Sequence, residues 1–343
     1  MRPLVSILIP AYNASEWIGH TLRSAIAQTW DHKEIIVVDD GSRDGTYEIA
    51  KGFSSHNVLV VRQDNQGAAA ARNKAFNLCQ GAYIQWLDAD DLLSANKIAS
   101  QMEEWQRSSV RTLLSSAWGW FMYRPNRAKF VQTGLWCDLP PNEWLIRKME
   151  NNLHMQTATW LVSRELTDSA GAWDTTLSVD DDGEYFCRIL LKSDGVKFIP
   201  DARVLYRLSG VSSVSYIGRS QKKIEDQFRS MKLHIAYLRS LDDSERVRAA
   251  CVKYLQTWLI YFYPERQDLV KEAEQIAADL GGNLVVPKLS WKYSLVRAIF
   301  GWGLAKRAQV CLPAIRWSLA RFLDKLLFLI ENRKLVRLLE RSR

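Results

Sequence analysis

The feature that most restricts this chain is an alternation, near its N-terminus, of short apolar runs with helix-like segments. The runs are "LVSILIP" (Leu4–Pro10), "EIIVVD" (Glu34–Asp39), "NVLVVR" (Asn57–Arg62) and "AYIQWL" (Ala82–Leu87). Each is β-branched and nearly continuous in apolar residues, the pattern of strands buried on both faces. Between them lie helix-like stretches at Ser15–Gln28, Gly45–Phe53 and Gly67–Cys79. Parallel neighbours must be joined by a crossover, so the order β-α-β-α-β-α-β predicts an α/β fold with a mostly parallel, Rossmann-like sheet flanked by helices. Further on, "RTLLSSAWGWFMYR" reads as strand and "DDGEYFCRILLK" as helix, and the chain beyond Ser220 reads as helical.

In such sheets ligands bind outside the carboxyl ends of the strands. The clusters "PAYN", "DDGSRDG", "QDNQG" and "DADD" fall at four successive strand ends. The last is the most demanding, because Asp88, Asp90 and Asp91 follow a run that reads as a buried strand. A bland reading makes it a solvated loop, with Asp91 or Ser94 capping the next helix. The alternative is a D-x-D arrangement, with one carboxylate on a hard divalent cation and the other on a neighbouring hydroxyl. Asp39 and Asp40 offer either an Asx-turn bending at Gly41 or an acceptor for the N–H of a base. Gly67 opens a helix, where free backbone N–H groups favour phosphate, and Arg72 follows in the second turn.

At this point the stretches "VSILIPAYN", "EIIVVDDGSRDGT", "NQGAAAARN", "GAYIQWLDADD" and "DDGEYFCR" together resemble family 2 glycosyltransferases of the GT-A fold. The resemblance runs from Leu4 to about Ser215, in order and spacing. It implies an inverting transfer of a sugar from a nucleotide diphosphate-sugar, with Mg²⁺ or Mn²⁺ as cofactor. Carried over by motif, Pro10, Ala11 and Tyr12 line the base pocket and Asp40 binds the uracil edge. Arg72 lies near the phosphates or ribose, Asp88 near the ribose, and Asp90 ligates the metal, with Gly67 added to the nucleotide site by its place at the helix start. In the pair Asp181-Asp182 the second member is the general base, against an ordinary reading of both as helix-start acids. One departure is Ser209, which stands where many members of the family carry a His that completes the metal shell. His154 is left without a role.

Charge is uneven. The chain of 343 residues has a net charge of +8, yet Pro287–Arg343 alone holds thirteen Lys/Arg against three Asp/Glu. A basic tail on a near-neutral body calls for an anionic partner, a membrane surface or nucleic acid. The tail mixes Leu, Ile, Phe and Trp with Arg and Lys but has no apolar run of the roughly 18–20 residues a span requires, and so reads as a helix lying on a membrane, against an amphipathic helix packed back on the catalytic domain or a dimer interface. Five scattered cysteines suggest neither a disulfide framework nor a zinc site, and "MRPLVSILIP" does not read as a signal peptide.

These readings combine into a catalytic domain at residues 1–218 and a helical, basic, amphipathic region at 219–343. The expected enzyme is metal-dependent, uses a UDP-sugar, and serves surface polysaccharide or lipid-linked glycan assembly from the cytoplasmic face of the cell membrane. Its partners are the donor, a glycan or lipid-linked acceptor and an anionic membrane, with no nucleic acid. A sugar nucleotidyltransferase is the rival enzyme, but its Gly-rich loop after the first strand is replaced here by "PAYNASEW". A nucleic-acid binder using the basic tail leaves the four strand-end clusters without a purpose.

Overall fold

The computed structural model describes residues 2–209 and 220–341. Its first part runs β1 (Val5–Ala11), α1 (Ile18–Ile26), β2 (Lys33–Asp39), α2 (Thr46–Lys51), β3 (Val58–Arg62), α3 (Ala68–Leu78) and β4 (Tyr83–Trp86). These are the four strands and three helices expected from the apolar pattern, each within a few residues of its expected limits. Strands β1 to β4 pair in parallel, in the order β3-β2-β1-β4. The chain continues through β5 (Leu92–Leu93), α4 (Lys97–Met102), β6 (Thr112–Phe121), β7 (Lys129–Phe130), α5 (Pro141–Asn151), β8 (Val162–Ser163), α6 (Arg164–Ala170), α7 (Asp181–Lys192) and β9 (Gly195–Arg207). Strand β8 closes the first sheet antiparallel to β4, and β5-β9-β6-β7 form a second sheet.

The pleat explains why the strands are apolar throughout. Ile7 and Ile9 of β1 point into one buried cluster with Ile18 and Leu22 of α1, while Leu8 between them points into the other, with Ala71 and Ala75 of α3. Both faces are therefore covered at β1, β2 and β4, whereas β3, expected to be buried on both faces, is an edge strand that buries Val58 and Val60 and leaves Leu59 46% exposed. That leaves the carboxyl ends of β1, β2 and β4 as the route by which polar side chains reach a ligand.

Helices α8 (Gln221–Leu241), α9 (Glu245–Phe262) and α10 (Gln267–Asp279) do not stand apart from this body. Phe228, Met231, Leu255 and Leu259 join the cluster that contains Trp144, Trp160 and Phe186. The end of the resembling stretch at Ser215 and the expected 218/219 boundary lie outside the described residues. The last helix, α11 (Ser294–Arg341), breaks at Gly301, whose φ of 78° is left-handed. Among the described residues no helix is long and apolar enough to cross a membrane.

Candidate active site

Along the carboxyl edge of the central sheet opens a cleft of about 1500 Å³. Pro10, Ala11, Tyr12, Asp40, Gly67, Arg72, Asp88, Asp90 and Asp182 all line it. Tyr12 is half exposed at its rim, whereas Ala11 is buried and its carbonyl accepts the Asp40 N–H at 2.8 Å.

Asp40 is not a free acceptor. Its Oδ1 accepts from Gln63 Nε2 at 2.7 Å and from the Gln66 N–H at 2.9 Å, and its Oδ2 accepts from the Gly67 N–H at 2.8 Å. The carboxylate thus clamps the loop before α3, and Gly67 spends its N–H on Asp40 rather than offering it to a phosphate. Each carboxylate oxygen can take two bonds, so Oδ2 keeps one acceptor position. Its neighbour Asp39 is fully buried, accepts from the Ser42 N–H and Arg62, and keeps Oδ1 without a partner.

The three carboxylates after β4 divide by environment. Asp91 is buried and accepts from the Arg207 N–H at 2.7 Å and from the Gln156 amide, tying β9 to the sheet. The bland reading therefore fails for it and for Ser94: the N-cap of α4 is Asn96, which makes no side-chain capping bond. Asp88 accepts from Arg72 Nη2 at 2.9 Å. Asp90 lies between them and is pushed up to about 6 by burial and the adjacent Asp88 charge, partly offset by a hydrogen bond with Ser209. Ser209 thus touches Asp90 at the place where the family's His was missed in the sequence.

Arg72 is 6% exposed and donates Nη1 to Asp181 at 2.7 Å as well as Nη2 to Asp88, with its guanidinium 4.3 Å from the Trp173 ring. Asp181 is nevertheless pushed up to about 6, because burial and the charges of Asp182 and Asp88 outweigh Arg72. Asp182 is differently placed. Its Oδ2 accepts from Thr157 Oγ1 at 3.0 Å and its Oδ1 from the Gly183 N–H at 2.9 Å, and it faces the cleft half-buried. The turn into α7 is tight: Asp180 has a left-handed φ of 56°, and a Cβ on Gly183 would fall on the Asp180 carboxylate.

Four contributors had little signal in the sequence. Arg207 is buried between the rings of Trp17 and Phe121 and donates Nε to the Asp90 carbonyl at 2.7 Å. Thr157 positions Asp182, Lys148 enters the cleft from α5, and Arg321 reaches its mouth from α11. Only the pairing of Arg207 with Tyr206 as "YR" after the α7 segment hinted at any of them.

Two dispersed carboxylates at one strand end do not make a cage: among the described residues no group of three His, Cys, Asp or Glu is arranged to hold a metal. Asp90, raised by burial and by the like charge of Asp88 beside it, does fit a cation that would relieve that repulsion and bring diphosphate and water as its remaining ligands.

Residues 6–165 match the model of glycosyl transferase family 2. Together, the match and the fold make residues 6–165 similar to glycosyl transferase family 2, and the architecture of the chain is similar to that of GT-A glycosyltransferases. Over 105 residues it is 41% identical to the putative teichuronic acid biosynthesis glycosyltransferase TuaG of Bacillus subtilis, covering 30% of this chain and 42% of that protein. Over 108 residues it is 38% identical to the Escherichia coli UDP-Glc:alpha-D-GlcNAc-diphosphoundecaprenol beta-1,3-glucosyltransferase WfaP, covering 31% and 43%. The chain thus spans less than half the length of these relatives. Among solved structures, S. aureus TarS 1-349 in complex with UDP-GlcNAc is similar at a TM-score of 0.62, with 16% identity and 80% of each chain covered. The mannosyltransferase PcManGT from Pyrobaculum calidifontis, in complex with GDP-Man and Mn2+, is similar at 0.51, with 18% identity over 95% of this chain and 88% of that one.

Proposed function

We propose that this chain is an inverting, metal-dependent glycosyltransferase that moves a sugar from a UDP-sugar to a hydroxyl of a surface polysaccharide or lipid-linked glycan. The observation that carries this reading is the meeting, in one cleft, of Asp88 and Asp90 with a separately held carboxylate, Asp182. Thr157 and the Gly183 N–H occupy one position on each Asp182 oxygen, which fixes the carboxylate and leaves acceptor capacity toward the cleft. In that pose Asp182 takes the proton of the acceptor hydroxyl as its oxygen bonds to the anomeric carbon and the bond to the diphosphate breaks on the opposite side. Asp90, with Asp88 beside it, would hold Mg²⁺ or Mn²⁺, which when bound neutralises the departing diphosphate. Tyr12, Asp40 and the α3 loop form the nucleotide end, since β1 and β2 lie on the far side of β4 from Thr157. The UDP reading is supported by the UDP-GlcNAc complex of TarS and by the donor in the name of WfaP.

In this reading residues 1–218 carry the transfer, and within 219–343 helices α8 to α10 complete the core and the cleft wall while α11 holds the enzyme on the cytoplasmic face of the membrane. Helix α11 supports it by facing the wrong way for a simple core helix. Toward the body it turns Trp317, Arg321, Asp324 and Phe328, at helical spacing, with Asp324 paired to Arg124 at 2.8 Å and Trp317 against Trp120. Leu319, Phe322, Leu323, Leu326 and Ile330 form the outward stripe, each between 41% and 61% exposed. An apolar stripe on a segment of net charge +10 suits an anionic leaflet, and Arg321 on the same helix lines the cleft.

A thermal-shift and donor-hydrolysis screen of UDP-, GDP- and dTDP-sugars, with and without Mn²⁺, tests the reaction. A UDP-sugar should stabilise the protein and be hydrolysed slowly, and only with the cation. If no nucleotide sugar shifts the melting point, the reading fails.

A further inference from the structure

The same cleft is lined by Trp144 and Lys148 of α5, by Tyr254 and Trp258 of α9, and by Trp160. Lys148 is 8% exposed. Its ammonium lies 5.7 Å from the centre of the Tyr254 ring, and among the described residues no carboxylate lies within ion-pair distance of it. The nearby acids are committed elsewhere: Asp180 accepts from Ser230 Oγ at 2.6 Å, and Asp182 from Thr157 and Gly183. Lysine is almost never this buried without a counter-charge, because removing an ammonium from water costs more than packing its stem returns. A charged group that lines a cleft with an aromatic ring but no carboxylate beside it points to a ligand that brings the counter-charge.

The walls state what else that ligand carries. The Trp258 indole N–H donates to Asn152 Oδ1 at 3.1 Å, and the Tyr254 hydroxyl lies 3.3 Å from His234 Nδ1, so both rings are held in place. Trp144, Trp160 and Tyr254 are buried in the core, which leaves half-buried Trp258 as the aromatic face open to the apolar C–H side of a sugar ring. Lys148 shares the cleft with Asp182, the base of the proposed transfer, so an anion held by Lys148 would belong to the acceptor.

We propose that Lys148 forms an anion subsite for the acceptor, binding a carboxylate or phosphate on the sugar whose hydroxyl reaches Asp182. The proposal rests on the glycosyl-transfer reading above and adds that the acceptor is an acidic glycan.

Ligand-observed NMR titrations of the full chain with UDP and Mn²⁺ present would use three probes: methyl glucuronide, glucose 6-phosphate and neutral methyl glucoside. At least one anionic probe should bind roughly 10-fold or more tightly than the glucoside, as expected for a charge-assisted bond. Which anion is preferred distinguishes carboxylate from phosphate. Lys148→Met should abolish the preference and Lys148→Arg restore it, with UDP affinity unchanged in both. The subsite is overturned if wild type does not prefer either anion, if Lys148→Met keeps the preference, or if the anions displace UDP. Failure of UDP itself to bind would count against the transferase reading alone, because the anion preference and its loss in Lys148→Met are also read in a second set of titrations without UDP and Mn²⁺.

Discussion

Arg72 and Asp181 stand 109 positions apart in the chain and meet in a 2.7 Å ion pair on the cleft wall, with Asp88 accepting the other arm of the same guanidinium at 2.9 Å. One side chain thereby fixes the end of β4 against the start of α7. It also sets the distance between the proposed metal end and the proposed base, which would otherwise belong to separately moving elements.

Removing that link should be costly. Arg72→Met leaves two poorly exposed carboxylates without their cation, and roughly 3–5 kcal/mol of stability is expected to be lost. Denaturant unfolding measures it. Adding Asp181→Asn to Arg72→Met should recover part of the loss, a non-additivity expected of residues in contact. Additive losses would mean that the pair contributes little.

Asp90→Asn keeps the shape of the side chain and removes the charge. It should abolish transfer and the Mn²⁺-dependent part of nucleotide binding, and excess EDTA should reproduce this in wild type. Calorimetric titration of UDP with and without Mn²⁺ measures it. Full activity in either case would remove the metal role.

A single displacement inverts the anomeric centre. Hydrolysis of an α-linked UDP-sugar should therefore release the β-anomer first, visible in proton NMR before mutarotation. Initial release of the α-anomer would exclude one-step inversion.

The outward stripe of α11 gives a membrane prediction that spares the fold. Leu319→Glu and Phe322→Glu together should abolish sedimentation with anionic liposomes and leave the melting point within a few degrees, since both residues are exposed. Wild-type binding should weaken with salt. A wild type that ignores anionic vesicles at low salt would make this stripe a protein contact instead.

Strands β1, β2 and β4 were legible because burial on both faces leaves a run with almost no polar residue, and α7 begins and ends where "DDGEYFCRILLK" does. The strand-end clusters also pointed to the cleft, since a parallel sheet places all its carboxyl ends on one edge. What could not be read was the division of labour within a cluster. Asp91 differs from Asp90 because partners 65 and 116 positions away, Gln156 and Arg207, arrive at it. Asp40 likewise becomes a loop clamp only once Gln63 to Gly67 fold over it. Lys148 in "EWLIRKMEN" looks like any solvated helix lysine until α9 packs across it.

The most direct test of the account is the separation of binding from chemistry at Asp182. Donor turnover and UDP affinity should be measured side by side for wild type and Asp182→Asn, with Mn²⁺ saturating. Turnover should fall roughly 10²–10⁴-fold, the range for loss of an acid–base group, while the UDP dissociation constant stays nearly the same. Equal losses in both, or unchanged turnover, would contradict the assignment of Asp182 as the base that drives transfer.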